Sequence, residues 1–298
     1  MFSIRLLGID RECAAWPRLF NGVGKALNVN LHASYKHVAQ DEVLAVEDDL
    51  RSGRLQGAAV DPALAHLVPA MCDQLSPLAR KLNLADTITV DKGKVIGHHT
   101  LVAGFVSMIM EVAVLRGAPS VAILGRGNLA LAVAFALGEY FSPGRLTVYG
   151  DETDPPPWLG VLSHTVSPEF KSYASFEPAD VFINATGNEF DVLLFEASGT
   201  VLRSTDVVYD LVPFAPRTRL LEYAEKKGCS IRHGSSMLIR RSMDAFTIWT
   251  HKDPFLVEQW RNAFLKSYGE KEAEEFRKAW LYEDESNPRR IGRRKSFD

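Results

Sequence analysis

Hydrophobic and polar positions along this chain switch repeatedly between the two-residue period of strands and the longer period of helices. In the first hundred residues, short apolar runs predict five strands, at residues 3–9, 30–36, 58–60, 87–90 and 94–97. Helical spacing predicts helices over residues 16–27 and 41–52, and one or two more between residues 62 and 84, with a break near Ser76-Pro77. Asp91-Lys92-Gly93 is typical of a hairpin turn between the last two strands. This part of the chain is therefore predicted to form a small α/β unit.

Beyond residue 100 the pattern alternates between buried strands and helices. A long helix is predicted to begin at Thr100. Strands are predicted at residues 121–124, 146–149, 181–185, 207–211 and 230–233. Helices are predicted at residues 219–227, 237–249, 254–266 and 270–282. This alternation is typical of parallel βαβ units, and the proline-rich residues 151–167 are expected to replace one crossover helix with a loop.

The most informative motif joins the strand at residues 121–124 to the helix that follows it. Gly125, Gly127 and Ala130 form a Gly-x-Gly-x-x-Ala pattern at this junction. The first glycine permits a tight turn, the second lets a pyrophosphate approach the backbone, and the small third residue lets the helix pack closely on the strand. The helix N-terminus at Asn128 and Leu129 offers backbone N–H groups to phosphate. The motif predicts a dinucleotide-binding site.

Composition and charge narrow the possible functions. A chain of 298 residues with 46% hydrophobic and 24% charged residues fits one large or two ordinary domains. The net charge of −3 gives no basic footprint for nucleic acid, and the chain has neither a long apolar run nor a signal-peptide core. Cys13, Cys72 and Cys229 lie too far apart to suggest a metal site or a disulfide framework. We expect a cytoplasmic protein that binds small molecules, and not nucleic acid, membranes or a metal.

Four segments of the chain resemble the shikimate/quinate dehydrogenase family. Residues 75–105, LSPLARKLNLADTITVDKGKVIGHHTLVAGF, resemble the middle of shikimate dehydrogenases. DVFINATG at residues 180–187, DVVYDLV at residues 206–212 and the helical segment at residues 228–250 resemble later parts of the family. The resemblance implies an α/β substrate-binding domain at residues 1–100, a Rossmann-like NAD(P)-binding domain at residues 101–249, and a cleft between them. It also implies that residues 250–285 pack back on the first domain, and we expect residues 286–298 to be a basic tail.

The chain departs from the family at the positions that the family uses for catalysis. Shikimate dehydrogenases reduce 3-dehydroshikimate with a nicotinamide cofactor and use a Lys and an Asp in proton transfer; these positions fall on Ala65 and Leu101. Apolar side chains cannot exchange protons. The paired serines that hold the substrate carboxylate in the family fall on Ala14 and Trp16, and the Gln of the substrate helix falls on Arg241. We therefore expect no ordinary shikimate dehydrogenase activity.

New polar side chains enter the same region and suggest a different site. His99 titrates near neutral pH and could act as a general acid or base, with Asp61 or Asp86 orienting it. Arg241 could hold a carboxylate. The candidate catalytic residues are His99, Asp61 and Asp86, and the candidate substrate-binding residues are Arg241, Thr100 and Trp16. The alternative is structural: a hydrogen-bonded His, a turn-forming Asp, and a bridge from Arg241 to Asp61 or Asp86.

The cofactor side also differs from the family pattern. NADP-preferring relatives carry Asn-Arg-Thr after the second strand of the dinucleotide domain, whereas this chain has Asp151 there. A carboxylate can accept a hydrogen bond from the ribose 2′-hydroxyl and repels a 2′-phosphate, which favours NAD over NADP; the alternative is that Asp151 only opens the proline-rich turn. The resemblance adds further candidate cofactor-binding residues: Asn184, Ala185, Thr186, Gly234 and Met237.

Three functions remain open at this stage. The first is an NAD-dependent oxidoreductase acting on a small polar or cyclic substrate other than shikimate. The second is a non-catalytic regulatory protein that senses a cofactor or metabolite, and the third is a dehydratase or isomerase on the same fold. The glycine motif favours the first, while the loss of both family catalytic residues favours the other two. The pattern leaves open whether the chain is a monomer or a homodimer.

Overall fold

The computed structural model describes residues 1–9, 15–112, 117–151, 154–162, 167–199, 202–254 and 256–285. The chain divides into two compact units. The first unit combines Met1–Gly104 with Leu238–Ala273, and the second combines Phe105–Met237 with the chain from Glu274 onward. Ala14 and the basic tail expected at residues 286–298 lie outside the described residues.

The described residues contain twelve β-strands. They are β1 (Phe2–Gly8), β2 (Leu31–His37), β3 (Gly57–Val60), β4 (Gln74–Leu75), β5 (Thr87–Asp91), β6 (Lys94–His98), β7 (Ser120–Leu124), β8 (Arg145–Gly150), β9 (Glu169–Ser172), β10 (Val181–Asn184), β11 (Val207–Asp210) and β12 (Ser230–His233). All ten strands predicted from the apolar pattern are confirmed within two residues at either end. The two-residue β4 and the edge strand β9 were not predicted.

The same residues contain ten α-helices. They are α1 (Ala15–Ala26), α2 (Val46–Arg51), α3 (Pro77–Leu82), α4 (Leu101–Val112), α5 (Asn128–Tyr140), α6 (Leu193–Ala197), α7 (Arg219–Lys226), α8 (Ser235–Thr250), α9 (Val257–Leu265) and α10 (Glu270–Glu285). None of the helices in the described part of the chain is long and apolar enough to cross a membrane.

The first unit is built on a mixed six-stranded sheet. Its strand order is β2-β1-β3-β5-β6-β4, in which β1 is parallel to β2 and β3 while β5 is antiparallel to β3 and β6. Aromatic side chains fix the helices on this sheet: Phe20 of α1 packs against Trp249 of α8 at 5.1 Å and Trp260 of α9 at 5.8 Å between ring centroids. Trp249 Nε1 also donates to the Ile88 carbonyl of β5 at 2.9 Å. Leu238–Thr250 therefore lies in this unit, and not within a dinucleotide domain that extends to residue 249.

The helices predicted between residues 62 and 84 form only in part. The structure has two short 3₁₀ turns at Pro62–Leu64 and Val68–Met71, then β4 and α3. Each of the three helical pieces has a proline at one of its first two positions. Because proline lacks a backbone N–H and fits only the first turn of a helix, three prolines divide the apolar pattern into short pieces.

The second unit is built on a six-stranded parallel sheet. Its order, β12-β11-β10-β7-β8-β9, is that of a doubly wound dinucleotide-binding fold, in which the strand order reverses between β7 and β10. The predicted Rossmann-like architecture is confirmed. The first three turns of α5 are almost fully buried, and a hydrophobic core cluster of this unit includes Phe176, Phe182 and Phe195. Ligands of such sheets bind at the carboxyl ends of the strands beside the reversal.

Candidate functional site

Gly125 ends β7 in a conformation that requires glycine. Its φ is +118°, and an added Cβ would lie 2.8 Å from the Ala185 carbonyl oxygen and 2.9 Å from the Thr186 nitrogen. Both the backbone conformation and the close approach of the chain after β10 exclude a side chain here. The Gly125 N–H donates to the Tyr149 carbonyl of β8 at 2.9 Å, so the turn contacts the ends of both strands that flank β7.

Gly127 and the start of α5 form a surface that fits a phosphate group. Gly127 is the N-cap of α5, has a φ of −82°, and has no side chain of its own that could cap the helix. A Cβ built on Gly127 would meet no atom of the described residues within 4 Å, which leaves space over the turn. Ala130 is fully buried where the helix packs on the sheet. The three positions of the motif thus have the roles that a dinucleotide site requires.

Asn184, at the end of β10, organises the next turn of the chain. Its Oδ1 accepts from the Thr186 N–H at 3.0 Å and from Thr186 Oγ1 at 2.7 Å. Its Nδ2 donates to the Asn188 carbonyl at 2.9 Å and to Asp210 Oδ1 at 2.8 Å. Asn184 and Ala185 are buried while Thr186 is half-buried, so a ligand at this edge would meet the backbone of the turn.

Asp210 is a functional candidate that the sequence analysis missed. It is fully buried at the end of β11, and it accepts hydrogen bonds from Thr218 Oγ1 at 2.6 Å and the Val212 N–H at 3.2 Å as well as from Asn184. Burial raises the pKa of Asp210 to about 6, although the three hydrogen bonds oppose the rise. The motif DVVYDLV contains two aspartates, and nothing in their spacing distinguishes the residue that faces Asn184.

Asp151 lies directly after β8, as the cofactor prediction requires, and its side chain is exposed. Nearby, burial raises the pKa of Tyr173 to about 12, and the charge of Asp151 adds to that rise. Arg126 occupies the same edge: its Cδ would lie 3.4 Å from a Cβ on Gly150, and its carbonyl accepts from Trp158 Nε1 at 2.8 Å. A carboxylate and a guanidinium therefore both stand at the carboxyl ends of β7 and β8.

Gly234 and Met237 lie where β12 turns into α8. A Cβ on Gly234 would be 2.5 Å from the carbonyl group of Leu211, which explains the glycine there. Met237 is 4% exposed. Between them Ser235 is fully buried, with its hydroxyl 2.7 Å from His233 Nδ1 and 3.0 Å from Trp280 Nε1 of α10, which donates to it. Side chains of the second unit thus hold this turn rigidly.

In the first unit, Asp86 is the centre of a fully buried polar cluster. Its carboxylate accepts from the backbone N–H groups of Thr100 and Leu101 at 2.9 to 3.0 Å, from Thr87 Oγ1 at 3.0 Å, and from Thr100 Oγ1. These N–H groups belong to the N-terminus of α4, where a negative charge is favourable. Burial opposes ionisation, but the ring of His99, the guanidinium of Arg241 and these hydrogen bonds hold the pKa of Asp86 below its usual value.

His99 lies against this carboxylate. Its side chain is fully buried, and its Nδ1 is 3.4 Å from Asp86 Oδ2. Burial lowers the pKa of His99 below its usual value; Asp86 opposes that effect and the charge of Arg241 adds to it. The ring is therefore neutral at pH 7. A neutral imidazole can accept a proton and so act as a general base.

Arg241 extends from α8 into the same cluster. It is 5% exposed, its Nη2 donates to the Val60 carbonyl at 3.1 Å, and the same nitrogen is 3.8 Å from Asp86 Oδ1. Its guanidinium also lies 5.2 Å over the ring of buried Trp16. The structure therefore brings Asp86, His99, Thr100, Arg241 and Trp16 together, and it shows the bridge between Arg241 and Asp86 that the structural alternative required.

Asp61 has a local role at the end of β3. Its side chain accepts from the Ala63 N–H at 2.8 Å and caps the turn at Pro62–Leu64. Ala65 and Leu101, where the resemblance places the catalytic residues of the family, are both buried, with exposures of 0% and 1%.

Asp244 of α8 is a second ionisable residue that the sequence analysis missed. It is half-buried, and burial raises its pKa to about 6, with the charge of Asp86 adding to the rise and Arg240 opposing it. The sequence distinguishes Asp244 in one way: it is the only acidic residue between residues 229 and 252.

Comparison with known proteins confirms the predicted resemblance. No family model matches the chain. A curated relative, the shikimate dehydrogenase (NADP(+)) of Chlorobium chlorochromatii, is 27% identical over 260 residues, which cover 82% of this chain and 90% of that protein.

Solved structures confirm the two-domain fold. A shikimate dehydrogenase in complex with NADP+ superposes with a TM-score of 0.77 at 23% identity, covering 91% of this chain and 96% of that one. The quinate dehydrogenase of Corynebacterium glutamicum in complex with NAD gives a TM-score of 0.74 at 24% identity, covering 89% of this chain and 99% of that one. The chain therefore has the fold of the NAD(P)-dependent shikimate and quinate dehydrogenases.

Proposed function

We propose that this chain, which has the fold of the shikimate dehydrogenases, is a nicotinamide-nucleotide-dependent oxidoreductase of a small polar or cyclic substrate other than shikimate. The observation that carries the proposal is the glycine turn. Gly125 is held against the chain after β10, and among the described residues no atom lies within 4 Å of a Cβ built on Gly127, the N-cap of α5. These features fit a pyrophosphate.

Different residues of the second unit would bind different parts of the nucleotide. The backbone at Gly127, Asn128 and Leu129 would bind the pyrophosphate, and the turn that begins at Asn184 would face the nicotinamide ribose. Met237 would lie against the nicotinamide ring. When bound, the nicotinamide supplies or accepts the hydride; the chain binds and orients it.

The proposed preference for NAD over NADP rests on Asp151. Its exposed carboxylate follows β8, at the position where a dinucleotide domain contacts the adenosine ribose. A 2′-phosphate there would meet a negative charge, whereas a 2′-hydroxyl would meet a hydrogen-bond acceptor. The curated relative is named for NADP(+), so preference for NAD would be a departure of this chain from that relative.

The first unit supplies the proposed acid–base groups. His99 is the ring that accepts a proton from a substrate hydroxyl, and Asp86, 3.4 Å from Nδ1, stabilises the imidazolium that results. Arg241, Thr100 and Trp16 surround this pair and would recognise the substrate. We expect no turnover of shikimate, because the resemblance places the Lys and Asp of the family at Ala65 and Leu101, whose buried side chains cannot transfer a proton.

A second candidate is a protein that binds the nucleotide but does not turn over a substrate. It is favoured by the complete burial of the His99 and Asp86 side chains and by the contacts of Arg241 with Val60 and Asp86. A buried cluster in which the charged groups bind one another can have a purely structural role. The two candidates share nucleotide binding and differ in hydride transfer.

Replacement of Gly127 by valine tests the binding site directly. The backbone at Gly127 suits any residue and its Cβ meets nothing, so the variant should fold normally and lose NADH binding at least tenfold, as seen by NADH fluorescence. Gly269→Val is the matched control, because a Cβ there has only one neighbour, at 3.7 Å, in the first unit. Equal NADH affinity in both variants would place the nucleotide elsewhere.

Absorbance of NADH during incubation with a panel of small carbonyl compounds and alcohols separates the two candidates. We expect turnover of at least one polar or cyclic member, and none of shikimate or quinate. Shikimate or quinate turnover would contradict the loss of proton transfer at Ala65 and Leu101. Binding of NADH without turnover of any compound would favour the second candidate.

A further inference from the structure

Three neighbouring strands end side by side at the nucleotide-binding edge of the second unit. In the sheet register, Asn184 of β10 lies opposite Leu124 of β7 on one side and opposite Asp210 of β11 on the other. Leu124 is followed directly by Gly125 of the glycine turn. Asn184 is therefore one strand away from the glycine turn and one strand away from Asp210.

Hydrogen bonds fix the orientation of the Asn184 amide. An asparagine amide has two donor hydrogens and one acceptor oxygen. Asp210 takes one hydrogen and the Asn188 carbonyl takes the other, while the oxygen accepts twice from Thr186. Because Asp210 can only accept when it is ionised, it holds Nδ2 on its own side and leaves Oδ1 to the turn at residues 185–188.

The position of this turn matters because it touches the glycine turn. The Ala185 N–H donates to the Leu124 carbonyl at 2.8 Å, and the Ala185 carbonyl lies 2.8 Å from where a Cβ of Gly125 would be. With the two turns in this contact, a shift of a few tenths of an ångström in one changes the surface that the other presents to a ligand.

We infer that Asp210 is a positioning residue for the nucleotide site: through Asn184 it holds the turn at residues 185–188 against the glycine turn, and it thereby sets the affinity for the nicotinamide nucleotide. The inference rests on the proposed function, because it identifies what positions the site that binds the nucleotide. Asp210 itself makes no contact with the ligand in this account.

The burial of Asp210 supports a positioning role. A buried carboxylate is unfavourable unless it is well hydrogen-bonded, and here burial raises the pKa to about 6 despite three donors. A charged acceptor makes a hydrogen bond about twice as strong as a neutral one. The cost of burying the carboxylate is therefore offset in part by stronger hydrogen bonds to Asn184 and to Thr218, the N-cap of α7.

Asp206 offers a matched control at the opposite end of the same strand. It is 1% exposed, directly precedes β11, and accepts from the Arg203 N–H at 2.7 Å and Arg203 Nε at 2.9 Å. Loss of either aspartate removes a buried, hydrogen-bonded carboxylate from one end of β11. Only Asp210 is bonded to the turn that faces the nucleotide.

The experiment compares Asp210→Ala, Asp210→Asn and Asp206→Ala by calorimetric titration with NAD, below the melting temperature of each variant. Asp210→Ala should weaken binding about tenfold, because a donor of Asn184 loses its acceptor. Asp210→Asn should stay within about threefold of the wild type, because its Oδ1 can accept from Asn184 while its amide donates to Thr218. Asp206→Ala should bind as the wild type does, although its melting temperature falls.

Hydrogen exchange by mass spectrometry on residues 184–188 gives a second readout that needs no nucleotide. Exchange there should accelerate in Asp210→Ala and stay unchanged in Asp206→Ala. If Asp210→Ala does not fold, Thr218→Val removes one donor to the same carboxylate and should weaken NAD binding about threefold.

The outcomes separate the inference from the proposed function. A wild type that binds no nicotinamide nucleotide overturns both. A wild type that binds, with equal affinity losses in Asp210→Ala and Asp206→Ala or no loss in Asp210→Ala, overturns the positioning role alone. Binding lost in Asp210→Ala, retained in Asp210→Asn and accompanied by faster exchange at residues 184–188 supports it.

Discussion

At the scale of single residues, two fully buried aspartates show how surroundings decide the state of a carboxylate. Asp86 faces the cation of Arg241 and the N-terminus of α4, and its pKa is held below the usual value although burial opposes this. Asp210 faces uncharged donors, and burial raises its pKa to about 6. The first is ionised throughout the physiological range, whereas the second is close to its titration point.

The raised pKa of Asp210 predicts that the stability of the Asp210→Asn variant relative to wild type increases with pH. An acid whose pKa is higher in the folded than in the unfolded state contributes stability at low pH and loses it as the pH rises through the folded pKa. Asparagine does not titrate. The free energy of unfolding of the variant relative to wild type should therefore rise by about 1 kcal/mol between pH 5 and pH 8. Urea titrations at both pH values measure this, and a difference independent of pH would contradict it.

The lowered pKa of His99 predicts the opposite dependence of stability on pH. Its pKa is lowered by burial, so the unfolded chain binds the proton first, and the stability that its neutral form contributes is lost as the pH falls below about 6.5. His99→Asn should lower the free energy of unfolding at pH 7.5 by about 1–3 kcal/mol, because it deletes part of a buried ring. It should then lose less stability than the wild type between pH 7.5 and pH 5.5. Equal losses in urea titrations would show that folding leaves the pKa of His99 unchanged, and would contradict the lowered pKa.

The range of each interaction explains which site residues the sequence could predict. Gly125 and Gly127 act through a turn that is local in the chain, so their spacing was sufficient. Asn184 and Asp210 are 26 positions apart, and Arg241 and Val60 are 181 apart. Such pairs depend on how strands are ordered in a sheet, which the local pattern does not contain.

At the scale of elements, the apolar pattern was reliable where strands are buried and weak where they lie at an edge. β7 and β10 lie inside the parallel sheet and consist almost wholly of buried residues. The edge strand β9 reads Glu-Phe-Lys-Ser and is mostly half-buried, so it carries no apolar run. The segment at residues 62–84 was misread for another reason: its apolar spacing is helical, but prolines restrict it to short turns.

Alanine substitutions at two glycines test how closely the helices and strands of the first unit pack. A Cβ on Gly57 of β3 would lie 2.5 Å from Trp249 Nε1 and 2.7 Å from the Ile88 carbonyl, so Gly57→Ala should lower the free energy of unfolding by about 1–3 kcal/mol. In α1, a Cβ on Gly22 would make an ordinary 3.4 Å contact with Ala263, and Gly22→Ala should be neutral or stabilising by up to about 1 kcal/mol. Equal effects in thermal unfolding would contradict the packing of α8 on β3 and β5.

At the scale of the whole molecule, the chain has the fold of the shikimate dehydrogenases, and the chemistry proposed for it differs from theirs. The alternation of strands and helices and the blocks at residues 75–105 and 180–187 were sufficient to predict the two-domain α/β fold, because such patterns repeat over many residues. The substrate was beyond prediction, because it depends on a few side chains. The resemblance places the family catalytic positions at Ala65 and Leu101, and Asp86, His99 and Arg241 of the first unit form a buried polar cluster.

The most direct test of the central claim is a calorimetric titration of the wild-type protein with NAD, NADH, NADP and NADPH. A nucleotide site at the glycine turn with Asp151 beside the adenosine ribose predicts micromolar binding of NAD and NADH, and binding of NADP and NADPH at least tenfold weaker. Tighter binding of the phosphorylated pair would contradict the role of Asp151 and direct attention to Arg126. Absence of binding by all four would contradict the account of this chain as a nicotinamide-nucleotide oxidoreductase.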